Sequence, residues 1–404
     1  MLEKLLFLAH RIPYPPNKGD KIRSWNILQY LARKFEIHLG CFVDNPEDVR
    51  YRGKLEEICA SCHFARLNPP IAKILSLRGL FSGAPLTLGY FWDNGLARWV
   101  AKTFQSNDIT NSYVFSSSMA QYVLQGDAAK SHRVVDFVDV DSDKWHQYAQ
   151  SKSSLMSSVY SRESRLLLEF ERKVATKTDV SLFVSDSEAA MFRKLAPESG
   201  GKIRGMNNGV DLSYFDPTLR YGAPYDLSKN NVVFTGAMDY WANVDAVCWF
   251  AKDVLPTILV ENPDTHFWIV GANPAREVLA LRDCQNVHVT GQVPDVRPYI
   301  SHADAIVAPL RLARGIQNKV LEAMAMARPI VATPEALEGI DATIGHNVLC
   351  ESKALALAGA VLSLSDRASA KELGDRGREF VSSGYSWDTS LKCLDTILRF
   401  ETPP

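Results

Sequence analysis

The chain has 404 residues, of which 46% are hydrophobic and 23% are charged, and its formal net charge is −1. This length exceeds what one hydrophobic core usually serves and predicts two domains of about 200 residues each. The lack of a basic excess argues against nucleic acid as a partner. The lack of a run of about 18 apolar residues argues against a membrane-spanning helix.

The first half of the chain alternates short apolar runs with amphipathic stretches. The opening run, Leu5 to Ala9, predicts a buried strand rather than a secretory signal, because it has no basic start and no small-residue cleavage site. From Ile22 onward, apolar residues recur at helical spacing. Further strands are predicted at 37–43, 113–115, 134–138 and 180–184, a charged helix at 161–176, and a helix N-cap at Ser185 or Asp186.

The second half repeats this alternation after an irregular stretch. Residues 212–230 are rich in Pro, Tyr and Asp without periodicity, which is typical of a linker. Predicted strands then follow at 232–235, 266–271, 287–289, 305–308 and 330–332, and predicted helices at 243–255, at 296–300 and in the late segment discussed next. The predicted domains are therefore 1–211 and 231–385, followed by an amphipathic C-terminal helix at 386–404.

Alternating strands and helices favour an α/β fold with parallel sheets, because parallel neighbours need crossover connections. Ligands of such sheets bind outside the carboxyl ends of the strands. One segment there, residues 314–322, joins a Gly-containing turn to the start of a helix. A helix N-terminus offers free N–H groups and a partial positive charge. Lys319 adds a full charge, and Glu322 can accept hydrogen bonds from ribose hydroxyls, so the segment predicts a site for a nucleotide diphosphate.

Three features together resemble the GT-B glycosyltransferases, and among them the retaining family 4. They are an early Gly-containing turn, the Asn-Gly-Val-Asp turn at 208–211, and the late segment that ends in Val-Leu-Glu-Ala-Met at 320–324. Shorter stretches resemble sugar transferases of bacterial exopolysaccharide and PEP-CTERM systems: 11–16, 138–145 and 234–240. The resemblance covers essentially the whole chain. It implies two Rossmann-like domains that face each other across a cleft, with the C-terminal helix crossing back toward the N-terminal domain.

The resemblance also implies a nucleotide-sugar donor in the second domain. The residues expected to contact the donor are Gly236, Val293, Arg314, Gly315, Ile316, Asn318, Lys319 and Glu322. Glu322 would bind the ribose, and a backbone group near Val293 would lie beside the base. The alternatives are ordinary surface positions for Lys319 and Glu322, and simple strand-end turns at Gly236 and Val293.

Two departures from the family pattern affect the expected charge at this site. Arg314 stands where the family has a Glu that touches the sugar, and its planar guanidinium suits phosphate oxygens instead. The loop at 236–244 lacks the Arg and Lys that the family often places against the diphosphate. A buried diphosphate without paired charge is costly. Lys319 and Arg314 are therefore expected to supply the charge and to act as catalytic residues.

The first domain is expected to bind the acceptor near its first turn. The residues expected there are Arg11, Asn17, Lys18, Gly19, Asp20 and Arg23. Gly19 would allow a close backbone approach, and the two arginines could hold an anionic acceptor such as a lipid diphosphate. The alternatives are an N-cap role for Asp20 and ordinary ion pairs for the arginines. Asp139, after a buried strand, is the third expected catalytic residue, with helix capping as its alternative.

The predicted function is transfer of a sugar from a UDP- or GDP-sugar to a glycan or lipid-linked acceptor, with retention, in polysaccharide biosynthesis. No metal and no further cofactor are expected, and the expected location is the cytoplasm. The apolar and basic stretch Ile71 to Phe81 has two interpretations: a core or lid helix, or a peripheral contact with the inner face of the membrane. Two other functions remain open: a nucleotide-sugar epimerase of the same fold, and a non-catalytic nucleotide-sugar binding protein.

Overall fold

The computed structural model describes residues 2–151, 155–313 and 316–398. The chain divides into two compact units. The first runs to Asn207 and takes in the chain again from Leu391 onward, and the second is Asn208–Ser390. Each unit is built around one parallel β-sheet, as the alternation of apolar runs and amphipathic stretches predicts.

The sheet of the first unit has seven parallel strands in the order β3-β2-β1-β4-β5-β6-β7. Their bounds are β1 Glu3–Ala9, β2 Phe35–Val43, β3 Ser61–Arg66, β4 Ile109–Phe115, β5 His132–Val138, β6 Val180–Phe183 and β7 Ile203–Gly205. The central strands are continuous apolar runs because helices cover both faces of such sheets. The edge strand β3 is only partly buried and mixes polar with apolar residues. It has no apolar run from which the sequence would predict a strand.

The helices of the first unit up to Asn207 have these bounds: α1 Gly19–Ala32, α2 Arg52–Glu56, α3 Pro69–Ser76, α4 Gly79–Ser82, α5 Leu86–Tyr90, α6 Asn94–Ser106, α7 Asp141–Ser151, α8 Leu155–Lys177 and α9 Asp186–Leu195. Three of them, α3, α6 and α9, begin at a side-chain N-cap that the sequence supplies. The predicted cap at Ser185 is confirmed, since its side chain accepts a hydrogen bond from the backbone N–H of Glu188. Lys18, not Asp20, occupies the N-cap position of α1, so the alternative of an N-cap role for Asp20 is wrong.

The sheet of the second unit has six parallel strands in the order β10-β9-β8-β11-β12-β13. Their bounds are β8 Asn230–Thr235, β9 Thr265–Val270, β10 Val287–Gly291, β11 Ala305–Ala308, β12 Ile330–Ala332 and β13 Leu349–Cys350. Adjacent strands pair in register at buried apolar residues, with Val232 opposite Phe267 on one side and Val233 opposite Ile306 on the other.

The second unit contains the next seven helices, and an eighth crosses its boundary. Their bounds are α10 Trp241–Trp249, α11 Leu255–Glu261, α12 Arg276–Leu279, α13 Arg297–Ser301, α14 Asn318–Ala325, α15 Ala354–Ser363, α16 Arg367–Gly384 and α17 Trp387–Leu391. The helix predicted at 243–255 is longer than expected, because a π-helical turn at Phe250–Val254 joins α10 to α11. Pro256 explains this turn, since a proline inside a helix lacks an N–H and clashes with the preceding turn.

The C-terminal segment is two short helices rather than the single predicted one: α17 is followed by α18, Cys393–Ile397. From Leu391 the segment belongs to the first unit. The Tyr30 hydroxyl donates to Asp395 Oδ1 at 2.9 Å, and His132 Nε2 lies 2.8 Å from the carbonyl oxygen of Ile397. The apolar residues Leu394 and Ile397 are buried, which accounts for the amphipathic pattern.

Candidate functional site

The second unit has a topological switch point between β8 and β11. These strands are neighbours in the sheet, although β9 and β10 separate them in the chain. The loop that starts at Gly236 leaves β8 at its carboxyl end, and the segment after Ala308 leaves β11 at the same edge and leads into α14. Connections that diverge at a switch point open the crevice in which ligands of α/β sheets bind. The predicted donor residues around 236 and 316–322 therefore flank one place.

Lys319 joins the two sides of this switch point. Its Nζ donates to Asn243 Oδ1 at 2.5 Å, and it lies 4.6 Å from the centre of the Phe234 ring. Asn243 Nδ2 in turn donates to the carbonyl oxygen of Ala237 at 2.9 Å. Asn243 is buried, so its amide fixes Lys319 against the loop after β8. The loop at 236–244 has no cation of its own. The structure supplies one from α14, Lys319, and holds it through Asn243, a residue that was not predicted for the site.

Two ionisable side chains of α14 have pKa values shifted toward their uncharged forms. Burial lowers the pKa of Lys319 to about 8, against the opposing charge of Glu322. Burial likewise raises the pKa of Glu322 to about 7, against the opposing charge of Lys319. Desolvation thus outweighs the attraction between the two side chains in both cases. Perturbed ionisable groups in a crevice are candidates for ligand contact.

Replacing Glu322 by glutamine is expected to flatten the pH dependence of stability. The folded-state pKa of about 7 lies above its ordinary value of 4.5, so the folded chain binds more protons between these values. Wild-type stability should therefore fall as pH rises through this window, and Glu322→Gln should lose that component. Melting temperatures at closely spaced pH values measure it. The exposed carboxylate variant Glu351→Gln serves as control, and an unchanged profile for Glu322→Gln would contradict the expected burial.

Glycine is required at 236 by the packing of the chain itself. A Cβ on Gly236 would lie 2.8 Å from Asn243 Nδ2, and a Cβ on Gly271 would lie 1.7 Å from the carbonyl oxygen of Gly236. Real side chains do not approach so closely. The two glycines therefore let the loop after β8 lie against both β9 and the amide that holds Lys319.

Three further predicted donor residues lie around the same edge: Asn318, Ile316 and Val293. Asn318 opens α14, and its Oδ1 is buried without a hydrogen-bond partner among the described residues. Ile316 is buried in the core of the unit, and Val293 is half-buried in the loop after β10. Arg314 and Gly315 lie outside the described residues.

Tyr214 is a candidate site residue outside the set predicted from the sequence. The centre of its ring lies 3.8 Å from the guanidinium carbon of Arg297. Arg297 Nη2 also donates to Asp295 Oδ2 at 2.7 Å. Burial raises the pKa of Tyr214, and the charges of Asp295 and Glu322 add to that rise against the opposing charge of Arg297. Tyr214 comes from the stretch predicted as a linker, where the sequence offers no periodic pattern to reveal a contact.

The first unit has its own switch point, between β1 and β4. Of the predicted acceptor residues, Asn17, Lys18 and Gly19 are exposed on the turn between β1 and α1. A Cβ on Gly19 would meet nothing within 4 Å, so packing does not demand glycine there. Across the switch point, Ser116 follows the end of β4 and adopts a φ of 81°. The next hydroxyl, of Ser117, is buried without a partner within the described part of the chain.

Arg11 and Asp20 form a network with two further side chains at this edge. Arg11 Nη1 lies 2.8 Å from Asp20 and its Nε 2.9 Å from Asp44, while His10 lies 3.3 Å from Asp20. Burial alone would raise the pKa of Asp20, but the hydrogen bonds and charges of His10 and Arg11 outweigh it and hold that pKa well below its usual range. Two carboxylates already balance the charge of Arg11, which weakens the expectation that it holds an anionic acceptor.

The structure contradicts the acceptor role expected for Arg23. Its side chain is only 1% exposed, and its Nε donates to Asp136 Oδ2 at 2.9 Å. Its Nη1 donates to the carbonyl oxygen of Met206 at 2.8 Å, and Tyr113 completes the cluster with a 2.8 Å bond to Asp136. The helix face that carries Arg23 points into the unit, so this guanidinium is structural and is not available to an acceptor.

Asp139 follows β5 and is paired with a lysine. Its Oδ2 accepts from Lys144 Nζ at 2.8 Å, and Asp141 accepts from the same ammonium at 3.2 Å. The preceding residue, Val138, has a φ of 70°, a strained conformation for a β-branched side chain that is often found at functional sites. Throughout 2–151, 155–313 and 316–398, no group of three or more His, Cys, Asp or Glu side chains is arranged to hold a metal ion.

Comparison with known proteins agrees with this architecture. Residues 229–367 match the family model described as "Glycosyl transferases group 1". A Klebsiella pneumoniae protein named "Uncharacterized 44.6 kDa protein in cps region" is 19% identical, over 98% of this chain and 100% of that protein.

Solved structures share the fold at low identity. A glycosyltransferase from Rickettsia africae has a TM-score of 0.66 at 14% identity, over 99% of this chain and 100% of its own. Anabaena Alr3699/HepE, solved in complex with UDP and glucose, has a TM-score of 0.65 at 15% identity, over 98% of this chain and 99% of its own. The two parallel-sheet units and the family match together identify the chain as a glycosyltransferase of the GT-B fold, with a group 1 glycosyl transferase domain at residues 229–367.

Proposed function

We propose that this glycosyltransferase takes a sugar from a nucleotide diphosphate donor, a UDP- or GDP-sugar, and transfers it to a glycan or lipid-linked acceptor with retention of configuration. The observation that carries the donor assignment is the partly buried ammonium of Lys319, held by Asn243 at the start of α14. A partly buried cation with a lowered pKa gains most from an anion placed beside it. The backbone N–H groups at the same helix N-terminus suit a diphosphate.

The rest of the donor fits the neighbouring residues. Ribose hydroxyls would donate to Glu322, and a donor group of the ligand would satisfy the buried Oδ1 of Asn318. The base would rest beside Tyr214 and the loop at Val293. The HepE structures with UDP and with UDP-glucose support a uridine nucleotide as the first ligand to test.

The proposed chemistry is ionisation of the bond between the anomeric carbon and the diphosphate oxygen. Lys319, Arg314 and the N–H groups of α14 would stabilise the negative charge that grows on the leaving diphosphate. The acceptor hydroxyl would attack from the same face and give its proton to the leaving phosphate oxygen. Asp139 would contact the sugar or the acceptor near the reacting carbon.

The proposed acceptor lies at the switch point of the first unit, at the turn of Asn17, Lys18 and Gly19. The exposed backbone of this turn and the hydroxyls after β4 suit a polar glycan. The similarity to a protein encoded in a cps region supports a role in polysaccharide biosynthesis.

Calorimetric titration with UDP, GDP and ADP at pH 8 tests the donor site. Binding of the correct diphosphate should take up about half a proton, because Lys319 is about half protonated at its pKa of about 8 and the anion raises that pKa. Titrations in two buffers of different ionisation enthalpy measure the uptake. Lys252→Ala, which changes an exposed lysine of the same unit, should preserve it.

Asn243→Leu should weaken nucleotide binding by about tenfold, the usual loss for one hydrogen bond to a charged group. Nucleotide binding without proton uptake would contradict the proposed diphosphate site. An unaltered nucleotide affinity of Asn243→Leu would contradict it as well. The anomeric coupling constant of the product, read by proton NMR, distinguishes retention from inversion.

A further inference from the structure

The first unit carries a helix whose large apolar side chains point outward. In α3, Ala72 and Ser76 are buried, whereas Ile71 is 53% exposed, Ile74 68% and Leu75 46%. A helix on a protein surface normally turns its apolar stripe toward the core and its polar residues toward water. The alternative of a core helix for this stretch is therefore wrong.

The outward orientation of these apolar side chains follows from how α3 is packed. A Cβ on Gly89, in α5, would lie 3.3 Å from Cα of Ser76, so the two helices meet almost backbone to backbone. Only small residues fit on the inner face of α3 at this distance. Ile71, Ile74 and Leu75 cannot turn inward without separating the helices.

Polar contacts from α8 hold this region in place. The carboxylate of Glu163, itself 1% exposed, accepts from the backbone N–H groups of Leu86 at 2.7 Å and Thr87 at 2.8 Å. Arg162 donates to the carbonyl oxygen of Gly79 at 2.7 Å. The exposed apolar face is thus a fixed part of the unit.

The charged residues of the chain segment that carries this face have one sign. Leu77 and Leu80 extend it, at 47% and 38% exposure, and Lys73 and Arg78 are exposed beside it. Between Arg66 and Trp92 the chain has no Asp and no Glu. Single exposed apolar residues are ordinary, but five within ten residues mark an interaction surface. We call it the apolar-basic patch: Ile71, Lys73, Ile74, Leu75, Leu77, Arg78 and Leu80.

We propose that the apolar-basic patch docks on the surface of an anionic lipid bilayer. Its isoleucines and leucines would enter the boundary between headgroups and acyl chains, and its cations would meet the negative headgroups. A symmetric pair of copies would instead bring the same cations face to face. No helix in the described ranges is long and apolar enough to cross a bilayer. The proposed contact is a docking of the folded unit on the bilayer surface.

Co-sedimentation of the full chain with vesicles tests this docking. We expect binding to vesicles of phosphatidylcholine with about a third phosphatidylglycerol, and at least about tenfold weaker binding to phosphatidylcholine alone. The triple variant Ile71→Ser, Ile74→Ser and Leu75→Ser should lose at least about tenfold in affinity for the anionic vesicles. Val260→Ser with Leu355→Ser is the matched control, because these residues of the second unit are 80% and 73% exposed.

The triple variant should keep the wild-type melting temperature and UDP affinity, since the altered side chains are exposed and lie outside the donor unit. Equal binding of the wild type to both vesicle types, or undiminished binding by the triple variant, would overturn the proposal. So would a wild-type dimer in light scattering that the triple substitution dissociates, because the patch would then be covered by a second copy. None of these outcomes depends on whether the donor assignment is correct.

Discussion

Lys319→Met is expected to lower kcat by about 100- to 1,000-fold, the usual loss when one group that stabilises transition-state charge is removed. The same variant should fold as well as the wild type. A pKa of about 8 means that the folded chain holds the charged form of Lys319 at a cost. One pKa unit corresponds to about 1.4 kcal/mol. Removing the charge offsets the loss of the hydrogen bond to Asn243 Oδ1, which costs about 1–3 kcal/mol.

Initial rates with a UDP-sugar and melting temperatures measured side by side separate these effects. Lys252→Met, in the same unit, should change neither quantity by much, since Lys252 is exposed. A Lys319→Met protein that is inactive and unfolded would indicate a structural role, and one that keeps full activity would exclude Lys319 from the chemistry.

The wild-type reaction also decides between the remaining functions. Conversion of the nucleotide sugar without any added acceptor would indicate an epimerase. Tight binding of the nucleotide sugar with no turnover, with glycan or lipid-linked acceptors supplied, would indicate a binding protein. Transfer that depends on acceptor and on Lys319 supports the proposed function.

Arg23→Met is expected to destabilise the protein by about 3–5 kcal/mol, because it leaves the carboxylate of Asp136 buried without its charged partner. Asp136 is 0% exposed, and the donors left to it within the described residues, the Tyr113 hydroxyl and the backbone N–H of Val138, are both uncharged. The melting temperature of the first unit should fall by roughly 10 °C. Scanning calorimetry of the full chain measures the shift.

Arg165→Met provides the control for this loss. Arg165 forms a pair with Glu169 in which both side chains are more than 60% exposed, and such a pair contributes at most about 1 kcal/mol. If Arg23 bound the acceptor instead, Arg23→Met would raise the KM for the acceptor and leave the melting temperature unchanged. That result would restore the role first expected from the sequence.

The buried arginine shows where sequence reasoning fails. Arg23 lies on the same helix as Ile22 and Trp25, and an arginine in a first helix is usually exposed. Its partner Asp136 is 113 positions away and sits among the valines of β5, where a strand pattern reveals no ion pair. Only the pairing of β1, β4 and β5 brings the two together.

The role of Asn243 at the candidate donor site likewise could not be predicted from the sequence. Lys319 and Glu322 could be selected from their place at the start of a helix after a Gly-containing turn. Asn243 is separated from Lys319 by 76 positions, and its role depends on β8 and β11 lying side by side. The apolar-basic patch was recognised as apolar and basic in the sequence, yet its outward orientation follows from the close contact of Ser76 with Gly89.

The amino-acid order alone determined the two α/β units, most of their strands and the late helix that opens the candidate donor site, because these depend on the periodicity of apolar residues and on local turn chemistry. The tertiary structure decided which charges are buried, which amide holds Lys319, and which face of α3 meets the solvent. Those properties depend on residues far apart in the chain, whose desolvation and pairing are set only when the strands align and the helices pack.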